Sequence, residues 1–403
     1  MQTFISNIKD SFFYYKLKKL VYLILDIFFL PILLFISILS RFVPKNKIGI
    51  GPLPIINSAG HKKSLELYGY SAETFVDCLW YTTSKFDIVL PKLFLNTFLR
   101  IFSAYVLFIF SILRYKIIYH YFNGICLRST TILYKFEPYL LKISGVKSVV
   151  MSYGMDVQDL KITSNIFYKD AYIKDYRDFR YYRNETIEKI KIWTNLSDFV
   201  LSGCDWVNYL YYWDKLIVSH FAVDDFEKIK LSPKKHTSFN KKRPMIIGHA
   251  PNHRNIKGTN HILRIVSKLK KKGFNIKFNI YENIPNAQFK KLIQNNDLFI
   301  DQIIVGWYAM LSIECMVRGI PVMCKLDQNL LNFYKYNDIL KDDIPIIDID
   351  INNLEKKIIY FYQNSNKLKK FENEGPKYVK KYHSPKYIGS IFDEINKKLL
   401  KKF

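Results

Sequence analysis

Cysteine is scarce in this chain of 403 residues, and its pattern excludes two kinds of site. The five cysteines are scattered and include no C-x-x-C pair: Cys78, Cys126, Cys204, Cys315 and Cys324. Such usage excludes a disulfide framework and a cysteine-based metal site, and it fits a reducing cytoplasm. The histidines lack zinc-like spacing as well, because His249 and His253 straddle Pro251 and cannot share one helix face.

Acidic residues are also few, since 35 Asp and Glu stand against 61 Lys and Arg, a formal net charge of +26. A genome rich in A and T would account for part of the lysine. The remainder still gives a positive field suited to anionic membranes, nucleotide phosphates or nucleic acid. The chain contains no nucleic-acid recognition motif, and the charged and aromatic run at 175–183 is more typical of a helix face than of an RNA-stacking surface. We therefore expect no nucleic-acid partner.

The chain is rich in apolar side chains. Hydrophobic residues make up 49% of it and aromatic residues 16%, which excludes general disorder. A length of 403 residues exceeds what one hydrophobic core usually supports, and it predicts two domains.

The N-terminal region contains an apolar run at 20–40 with one charge, Asp26, and one proline, Pro31. About 20 apolar residues suffice to cross a bilayer, and no small-residue cleavage site marks a signal peptide. A charge at the helix centre costs about 2.5–3.5 kcal/mol, the proline interrupts the hydrogen-bond ladder, and lysine or arginine flanks both ends. A bent, re-entrant or in-plane membrane helix satisfies these facts, and a buried helix of a soluble protein is the alternative.

A second apolar stretch at 93–113 is less suited to crossing a membrane. Its uninterrupted part, 101–113, is too short to span a bilayer. A core helix and a helix that dips into the membrane both remain possible for this stretch.

The first domain opens with a strand–turn–helix–strand pattern. A short strand at 48–50 is followed by the glycine-proline turn at 51–54, a helix that ends near Leu67 and a strand at 72–76. A glycine turn between strand and helix lets backbone N–H groups approach a phosphate, which makes Gly51 a candidate contact. Further on, a buried strand at 147–151 leads into a turn that contains Tyr153 and Asp156.

The second domain opens with a strand at 245–248 and a basic turn. Arg254 and Lys257 precede a helix at 260–272 with one apolar face. A helix N-terminus and two cations can together neutralise a diphosphate. A merely basic surface loop is the alternative interpretation.

The residues from 297 to 324 predict a strand, a turn at Gly306, a helix that ends before Gly319 and a buried parallel strand at 320–324. Glu314 lies within this helix among apolar neighbours, so we expect its carboxylate to be covered and to have a partner. Asp348 and Asp350 form a D-x-D sequence at the end of an apolar run, where we interpret them as loop acids.

These motifs resemble the donor-binding signature of retaining GT-B glycosyltransferases, especially family 4, which builds bacterial surface polysaccharides. The resemblance rests on Arg254, Lys257-Gly258, Glu314 and the sequence Gly-Ile-Pro-Val at 319–322. The family has two glutamates eight positions apart; Glu314 matches the second, and Gly306 replaces the first. The turn at 49–54 is similar to the first loop of the family's acceptor-side domain, and Tyr153-Gly154-Met155-Asp156 is similar to its aromatic/His-Gly-x-Asp turn.

The resemblance implies an α/β GT-B fold, in which two Rossmann-like domains face a central cleft. We divide the chain into a membrane-associated segment (1–46), an acceptor-side domain (47–230), a linker (231–243), a nucleotide-sugar-binding domain (244–385) and a C-terminal helix (386–403) that packs back on the first domain. The implied activity is the retaining transfer of a sugar from a nucleotide-sugar to a lipid-linked or growing saccharide, in capsule or lipopolysaccharide synthesis. It would take place at the cytoplasmic face of the inner (plasma) membrane, on an enzyme bound to the anionic membrane surface as a monotopic or peripheral protein.

The resemblance also implies roles for individual residues. Arg254 and Lys257 bind the diphosphate, Glu314 binds the ribose, and Gly51 and Gly306 contact the donor. Trp307 and Tyr308 are expected to pack on a sugar face. The catalytic candidates are Tyr153 and Asp156. We expect no metal and no cofactor, because the nucleotide-sugar is itself a substrate.

Two alternatives stay open. Because Gly306 replaces an acid, the chain could be a non-catalytic, nucleotide-sugar-binding partner in a glycosyltransferase complex. A nucleotide-sugar epimerase of the same fold is the other alternative, although it has no use for the apolar N-terminal run.

Overall fold

The computed structural model describes residues 12–90, 99–229 and 238–401. The first domain is built on a parallel sheet of seven strands in the order β3-β2-β1-β4-β5-β6-β7. The strand bounds are β1 Lys47–Ile50, β2 Ala72–Val76, β3 Ile88–Val89, β4 Tyr115–Tyr121, β5 Lys147–Met151, β6 Phe199–Ser202 and β7 Lys215–Leu216.

Helices cover both faces of this sheet, as parallel sheets require. The α-helices of this part of the chain are α1 Phe12–Ser40, α2 Ser58–Glu66, α3 Ser103–Arg114, α4 Leu133–Ser144, α5 Ile166–Asp175 and α6 Phe179–Leu196. Short 3-10 turns lie at Leu99–Phe102, Cys204–Asn208 and Phe226–Lys228.

The second domain has a parallel sheet of five strands in the order β12-β11-β10-β8-β9. Its strands are β8 Met245–His249, β9 Ile276–Ile280, β10 Leu298–Ile300, β11 Val322–Cys324 and β12 Ile347–Asp348. Its helices are α7 Arg254–Lys257, α8 Thr259–Lys271, α9 Asn286–Leu292, α10 Met310–Met316, α11 Gln328–Tyr336, α12 Leu354–Gln363 and α13 Leu368–Tyr382, with 3-10 turns at Ile293–Asn295 and Ser365–Lys367. A last helix, α14 Pro385–Leu400, follows.

The central strands form where the sequence predicted them. The strands at 72–76 and 147–151 have the predicted bounds. The apolar run that begins at Leu298 was expected to continue as a strand to Val305, but β10 ends at Ile300. The backbone still pairs beyond Ile300, because the N–H of Asp301 donates to the Met323 carbonyl at 2.9 Å. The side chains of Asp301 and Gln302 bond to Lys257 and to the carbonyl of Trp307.

The N-terminal apolar run forms one continuous helix, α1, that lies along the first domain against α3 and α4. Pro31 lies inside this helix and does not end it. Asp26 is fully buried and accepts hydrogen bonds from Tyr105 Oη at 2.7 Å and from the backbone N–H groups of Thr131 and Ile132 at 2.9 and 2.7 Å. The single charge of the run is therefore used to satisfy the backbone at the start of α4.

Among the described residues, one helix is long and apolar enough to cross a membrane, by length and composition alone. The segment that meets these criteria is Lys16–Ser40 of α1. Its 18-residue window has a mean hydropathy of 2.6, and 22% of that window is buried. The described part of the second apolar stretch forms α3, which has six buried residues. One of them is Tyr105, whose ring stacks on the ring of Phe29 in α1 with centroids 4.2 Å apart. Residues 93–98 of that stretch lie outside the described residues.

The two domains meet through residues of the loops and helices that follow the carboxyl ends of their strands. Tyr334 Oη donates to the carbonyl of Cys204 at 2.5 Å, and the N–H of Asn286 donates to the carbonyl of Thr82 at 3.0 Å. The chain also crosses back at its end, because α14 packs on α2 of the first domain. The cleft predicted between two Rossmann-like sheets is therefore lined by loops from both.

Candidate functional site

The turn after β8 brings the two predicted cations to the carboxyl edge of the second sheet. Arg254 and Lys257 begin and end the single-turn helix α7. Lys257 is 8% exposed, and its Nζ lies 2.6 Å from Oδ1 of Asp301, which follows β10. The second oxygen of Asp301, Oδ2, accepts from Ser312 Oγ at 2.6 Å. Asp301 therefore connects the loop after β8 to α10, the helix that carries Glu314.

Arg254 differs from Lys257 in exposure and in partner. Its side chain is half exposed and forms a two-pronged pair with Glu282, Nε to Oε1 at 2.7 Å and Nη2 to Oε2 at 2.6 Å. The hydrogen bonds from Arg254 hold the pKa of Glu282 below its usual value. An exposed guanidinium that already binds a carboxylate in this geometry can bind a phosphate in the same way.

Glu314 is buried and has partners, as the sequence predicted. It is 1% exposed, and Nδ2 of Asn286 lies 3.0 and 3.1 Å from its two carboxylate oxygens. Lys290 Nζ lies 3.7 Å from Oε1 and also contacts Asp224 of the first domain. Burial raises the pKa of Glu314, and the nearby Lys290 and the Asn286 amide oppose this shift. Both partners belong to α9, so Glu314 and α9 form one polar cluster at the domain boundary.

The structure gives a physical reason for Gly306, which stands where the family has an acid. Its φ is +118°, a conformation that residues with a side chain rarely adopt. A Cβ at this position would lie 3.4 Å from Cβ of Asp327, whose N–H donates to the Gly306 carbonyl at 2.8 Å. The departure from the family pattern is therefore accommodated by the course of the backbone.

Trp307 and Tyr308 occupy the core, where no sugar can reach their rings without repacking. They are 1% and 2% exposed and stack on each other at 5.4 Å. Tyr308 Oη shares hydrogen bonds with Tyr378 Oη at 2.8 Å and His383 Nε2 at 2.9 Å. Neither ring is open to a sugar in this conformation, and packing of both rings on a sugar face stays a prediction. Two adjacent aromatic residues in a sequence do not indicate whether their rings belong to the core or to a sugar-binding surface.

The catalytic candidates of the first domain lie in the turn after β5. Asp156 is 1% exposed and accepts hydrogen bonds at 3.0 Å from Ser152 Oγ and from the N–H groups of Phe122, Tyr153 and Gly154. Burial raises the pKa of Asp156 to about 6, although the four hydrogen bonds oppose this shift. Its carboxylate fixes the turn, and Tyr153 places its ring on Tyr121 at 5.2 Å. A catalytic role for either residue stays a prediction.

Gly51 lies in a buried turn where only glycine fits. A Cβ there would come within 2.1 Å of the Phe75 carbonyl oxygen. The N–H of Gly51 already donates to the carbonyl of Tyr119 at 3.1 Å. Close backbone packing accounts for this glycine, and its predicted phosphate contact stays untested.

Some polar residues of the cleft edges escaped the sequence analysis. Asp301, Asn286 and Lys290 carry no motif in the sequence, and none of them was predicted as a site residue. In the first domain, Arg128 forms a two-pronged pair with Asp77, with Nη2 to Oδ2 at 2.7 Å. Asp77 and Asp301 directly follow strands, and the rule that ligands of open α/β sheets bind beyond the carboxyl ends of strands could have identified both.

Comparison with known proteins shows the fold. No family model matches the sequence, and no curated protein matches it. Among solved structures, a glycosyltransferase from Rickettsia africae ESF-5 is similar over 90% of this chain and 100% of its own, with 13% identity and a TM-score of 0.53. Sucrose-phosphate synthase from Thermosynechococcus elongatus is similar over 90% of this chain and 100% of its own, with 11% identity and a TM-score of 0.52. An alpha-glucosyltransferase in complex with UDP and a 13-mer DNA is similar over 88% of this chain and 99% of its own, with 12% identity and a TM-score of 0.51.

These likenesses cover nearly the whole of each solved chain, and they agree with the two parallel sheets described above. At identities of 11–13% they bear on the fold alone. The chain therefore has the α/β, two-domain GT-B fold that the sequence predicted.

Proposed function

We propose that this protein is a glycosyltransferase that moves a sugar from a nucleotide-sugar to a saccharide acceptor by a retaining mechanism. The observation that carries the proposal is the chain of contacts from Lys257 through Asp301 and Ser312 to α10, which fixes a cation and the acid Glu314 at the edge of one sheet. A nucleotide-sugar needs both kinds of group, because its diphosphate is anionic and its ribose carries hydroxyl donors.

The leaving group sets the electrostatic requirement of the reaction. Negative charge develops on the diphosphate as its bond to the sugar breaks, and a cation already in place stabilises that charge without reorganisation. Lys257 is oriented by Asp301, and Arg254 can exchange Glu282 for a phosphate oxygen. We expect Glu314 to exchange its Asn286 contact for the ribose hydroxyls, which would place the nucleotide over α9 and α10.

The acceptor is expected to be a lipid-linked or growing saccharide, and the support for this is the outer face of α1. This face is apolar over six helical turns, and its most exposed members are 55–64% accessible: Leu20, Ile24, Ile27, Phe28 and Phe35. Lysine and arginine flank it at both ends, which favours an anionic bilayer surface. The enzyme would then act at the cytoplasmic face of the inner membrane, in surface-polysaccharide synthesis.

The inner face of α1 favours an in-plane position over a spanning one. A helix that crosses the bilayer would have to withdraw Asp26 and leave the N–H groups of Thr131 and Ile132 without an acceptor. A hydrogen bond from Thr131 Oγ1 to the carbonyl of Lys19 at 2.6 Å is a second tie. The helix is also continuous, so it does not form the re-entrant hairpin that the sequence left possible.

Vesicle sedimentation tests this location. Full-length protein should sediment with phosphatidylglycerol vesicles and less with phosphatidylcholine, and salt should weaken the binding. Phe28→Glu with Phe35→Glu should release the protein, while Tyr336→Glu, a control at a residue 87% exposed on the second domain, should not. Equal sedimentation of both variants would contradict an in-plane α1.

A panel of nucleotide-sugars tests the activity. Purified protein is incubated with each donor, with membranes that supply acceptor and with EDTA, and release of nucleotide diphosphate is measured together with sugar incorporation. One donor should be consumed and Glu314→Gln should reduce the rate. Nucleotide binding without turnover of any donor would favour the non-catalytic alternative, for which Gly306 in place of the acid is the supporting observation.

A further inference from the structure

One helix of the first domain, α5, holds both cleft loops of the second domain. At its start, Asn165 Nδ2 donates to the carbonyl of Ile304, in the loop after β10, at 2.7 Å. At its end, Asp175 contacts the loop after β8: Oδ1 accepts from Asn255 Nδ2 at 2.6 Å, and Oδ2 accepts from the N–H of Ile256 at 2.9 Å. The cleft is therefore closed over the predicted diphosphate-binding turn by side chains of this chain itself.

A second polar contact lies beside the first. Tyr176 Oη is hydrogen-bonded to Nε2 of His253 at 2.5 Å, and the two rings pack with centroids 4.8 Å apart. His253 and Ile256 immediately flank Arg254 and Asn255. Two consecutive residues of the first domain thus bind three of the five residues from His253 to Lys257.

The position of Asp175 is unfavourable for α5 itself. It is the last residue of the helix, where a carboxylate faces the negative end of the helix dipole. Asp170, one turn and a half earlier, instead pairs with Lys174 within the same helix. The acid at position 175 is therefore explained by what it binds on the other domain rather than by helix stability.

We propose that the Asp175 carboxylate is an exchangeable occupant of the anion position at the Asn255 side chain and the Ile256 N–H, which ties the two domains together in the donor-free protein and is displaced by the donor diphosphate. This inference rests on the proposed function. A carboxylate and a phosphate oxygen accept the same N–H donors, so Asn255 and the Ile256 N–H can pass from one to the other. Displacement would free the end of α5, and it would make opening of the cleft depend on donor binding.

The exchange predicts that removing the carboxylate improves binding of a diphosphate. The apparent Kd equals the intrinsic Kd divided by the fraction of molecules that can bind. If the Asp175 contact is formed in most wild-type molecules, its removal should lower the apparent Kd about five- to tenfold. Tyr176→Phe removes only the hydroxyl bond to His253 and should act in the same direction with a smaller effect.

Calorimetry with inorganic pyrophosphate and with UDP, on full-length protein in EDTA, measures this. Asp175→Ala should bind about five- to tenfold more tightly than wild type, and Asp170→Ala, the matched control on the same helix, should bind as wild type does. Hydrogen exchange of the peptide 250–258 gives an independent readout: the Ile256 amide should exchange faster in Asp175→Ala and unchanged in Asp170→Ala.

Two failures can be told apart. Equal affinity of wild type and Asp175→Ala for pyrophosphate or UDP would overturn the exchange and leave the donor site intact. No binding of either probe by wild type, Asp175→Ala or Tyr176→Phe would overturn the donor site and the exchange together. Unchanged Ile256 exchange in Asp175→Ala would show that the contact does not close the cleft.

Discussion

Two sets of buried acids, one in each half of the molecule, accept hydrogen bonds from different kinds of donor. In the first, Asp26, Glu137 and Asp156 accept hydrogen bonds mainly from backbone N–H groups of loops and helix starts. In the second, Asp301 and Glu314 accept from the side chains of Lys257, Ser312 and Asn286. The second set lies at the carboxyl edge of its sheet.

The difference separates a structural acid from a functional candidate. A backbone N–H group has a fixed position, so an acid that binds several of them determines the path of the chain and is not free to change partner. A side chain such as Lys257 or Asn286 can rotate towards an incoming ligand. This is why the second sheet edge is the better candidate for the donor site, although acids occur at both edges.

The comparison predicts that Lys257→Ala has the largest effect on stability. Removal of the lysine leaves the Asp301 carboxylate buried without its cation, which costs about 3–5 kcal/mol in such pairs. A second change, Asp301→Asn, should recover most of the loss because it removes the orphaned charge. Urea unfolding of wild type, the single variant and the double variant measures this. A double variant no more stable than Lys257→Ala would mean that the pair is not coupled.

Asp156→Asn should destabilise the protein by a smaller amount, about 1–3 kcal/mol, because an amide cannot accept all four hydrogen bonds of the carboxylate. If Asp156 only fixes the turn, turnover by the folded fraction should stay close to that of wild type. Urea unfolding and donor turnover are measured on the same preparation. Loss of turnover with unchanged stability would instead support the catalytic role predicted from the sequence.

Glu137 should produce an effect that depends on pH, a slope in the free energy of unfolding. Burial raises its pKa to about 7, against the three backbone N–H groups that bind it. The folded state then holds a proton that the unfolded state releases near pH 4.5, so this contribution to stability declines as pH rises from about 4.5 to 7. Unfolding at a series of pH values should show the slope in wild type and in Glu394→Gln, a control whose side chain is 67% exposed, and not in Glu137→Gln.

The parts of the fold that could be predicted are those with local patterns. The strands at 72–76 and 147–151 contain β-branched residues and begin shortly after a glycine, and their predicted bounds are those of the structure. A partner for Glu314 was expected because apolar neighbours surround it. Its identity, Asn286, could not be predicted, since α9 reaches α10 only through the order of strands in the sheet.

Other features depend on geometry that a sequence does not record. The positive φ of Gly306 makes any side chain there strained, and a glycine in a sequence does not reveal which φ it adopts. Trp307 and Tyr308 were assigned to a sugar because aromatic pairs serve both cores and binding sites. Asp26 was interpreted as a cost to a membrane helix, whereas burial against α3 and the start of α4 gives it four hydrogen-bond donors.

The central claim is that Lys257 binds the diphosphate of a nucleotide-sugar, and calorimetry on one double variant tests it most directly. Lys257→Met with Asp301→Asn removes the cation without leaving a buried charge, and Lys268→Met, an exposed lysine of α8 paired with Glu355, is the matched control. Hydrogen bonds to charged groups contribute about 1.5–3 kcal/mol, so UDP or another nucleoside diphosphate should bind the double variant at least tenfold more weakly in EDTA, and the control as wild type. A folded double variant with wild-type affinity would contradict the assignment of the donor site.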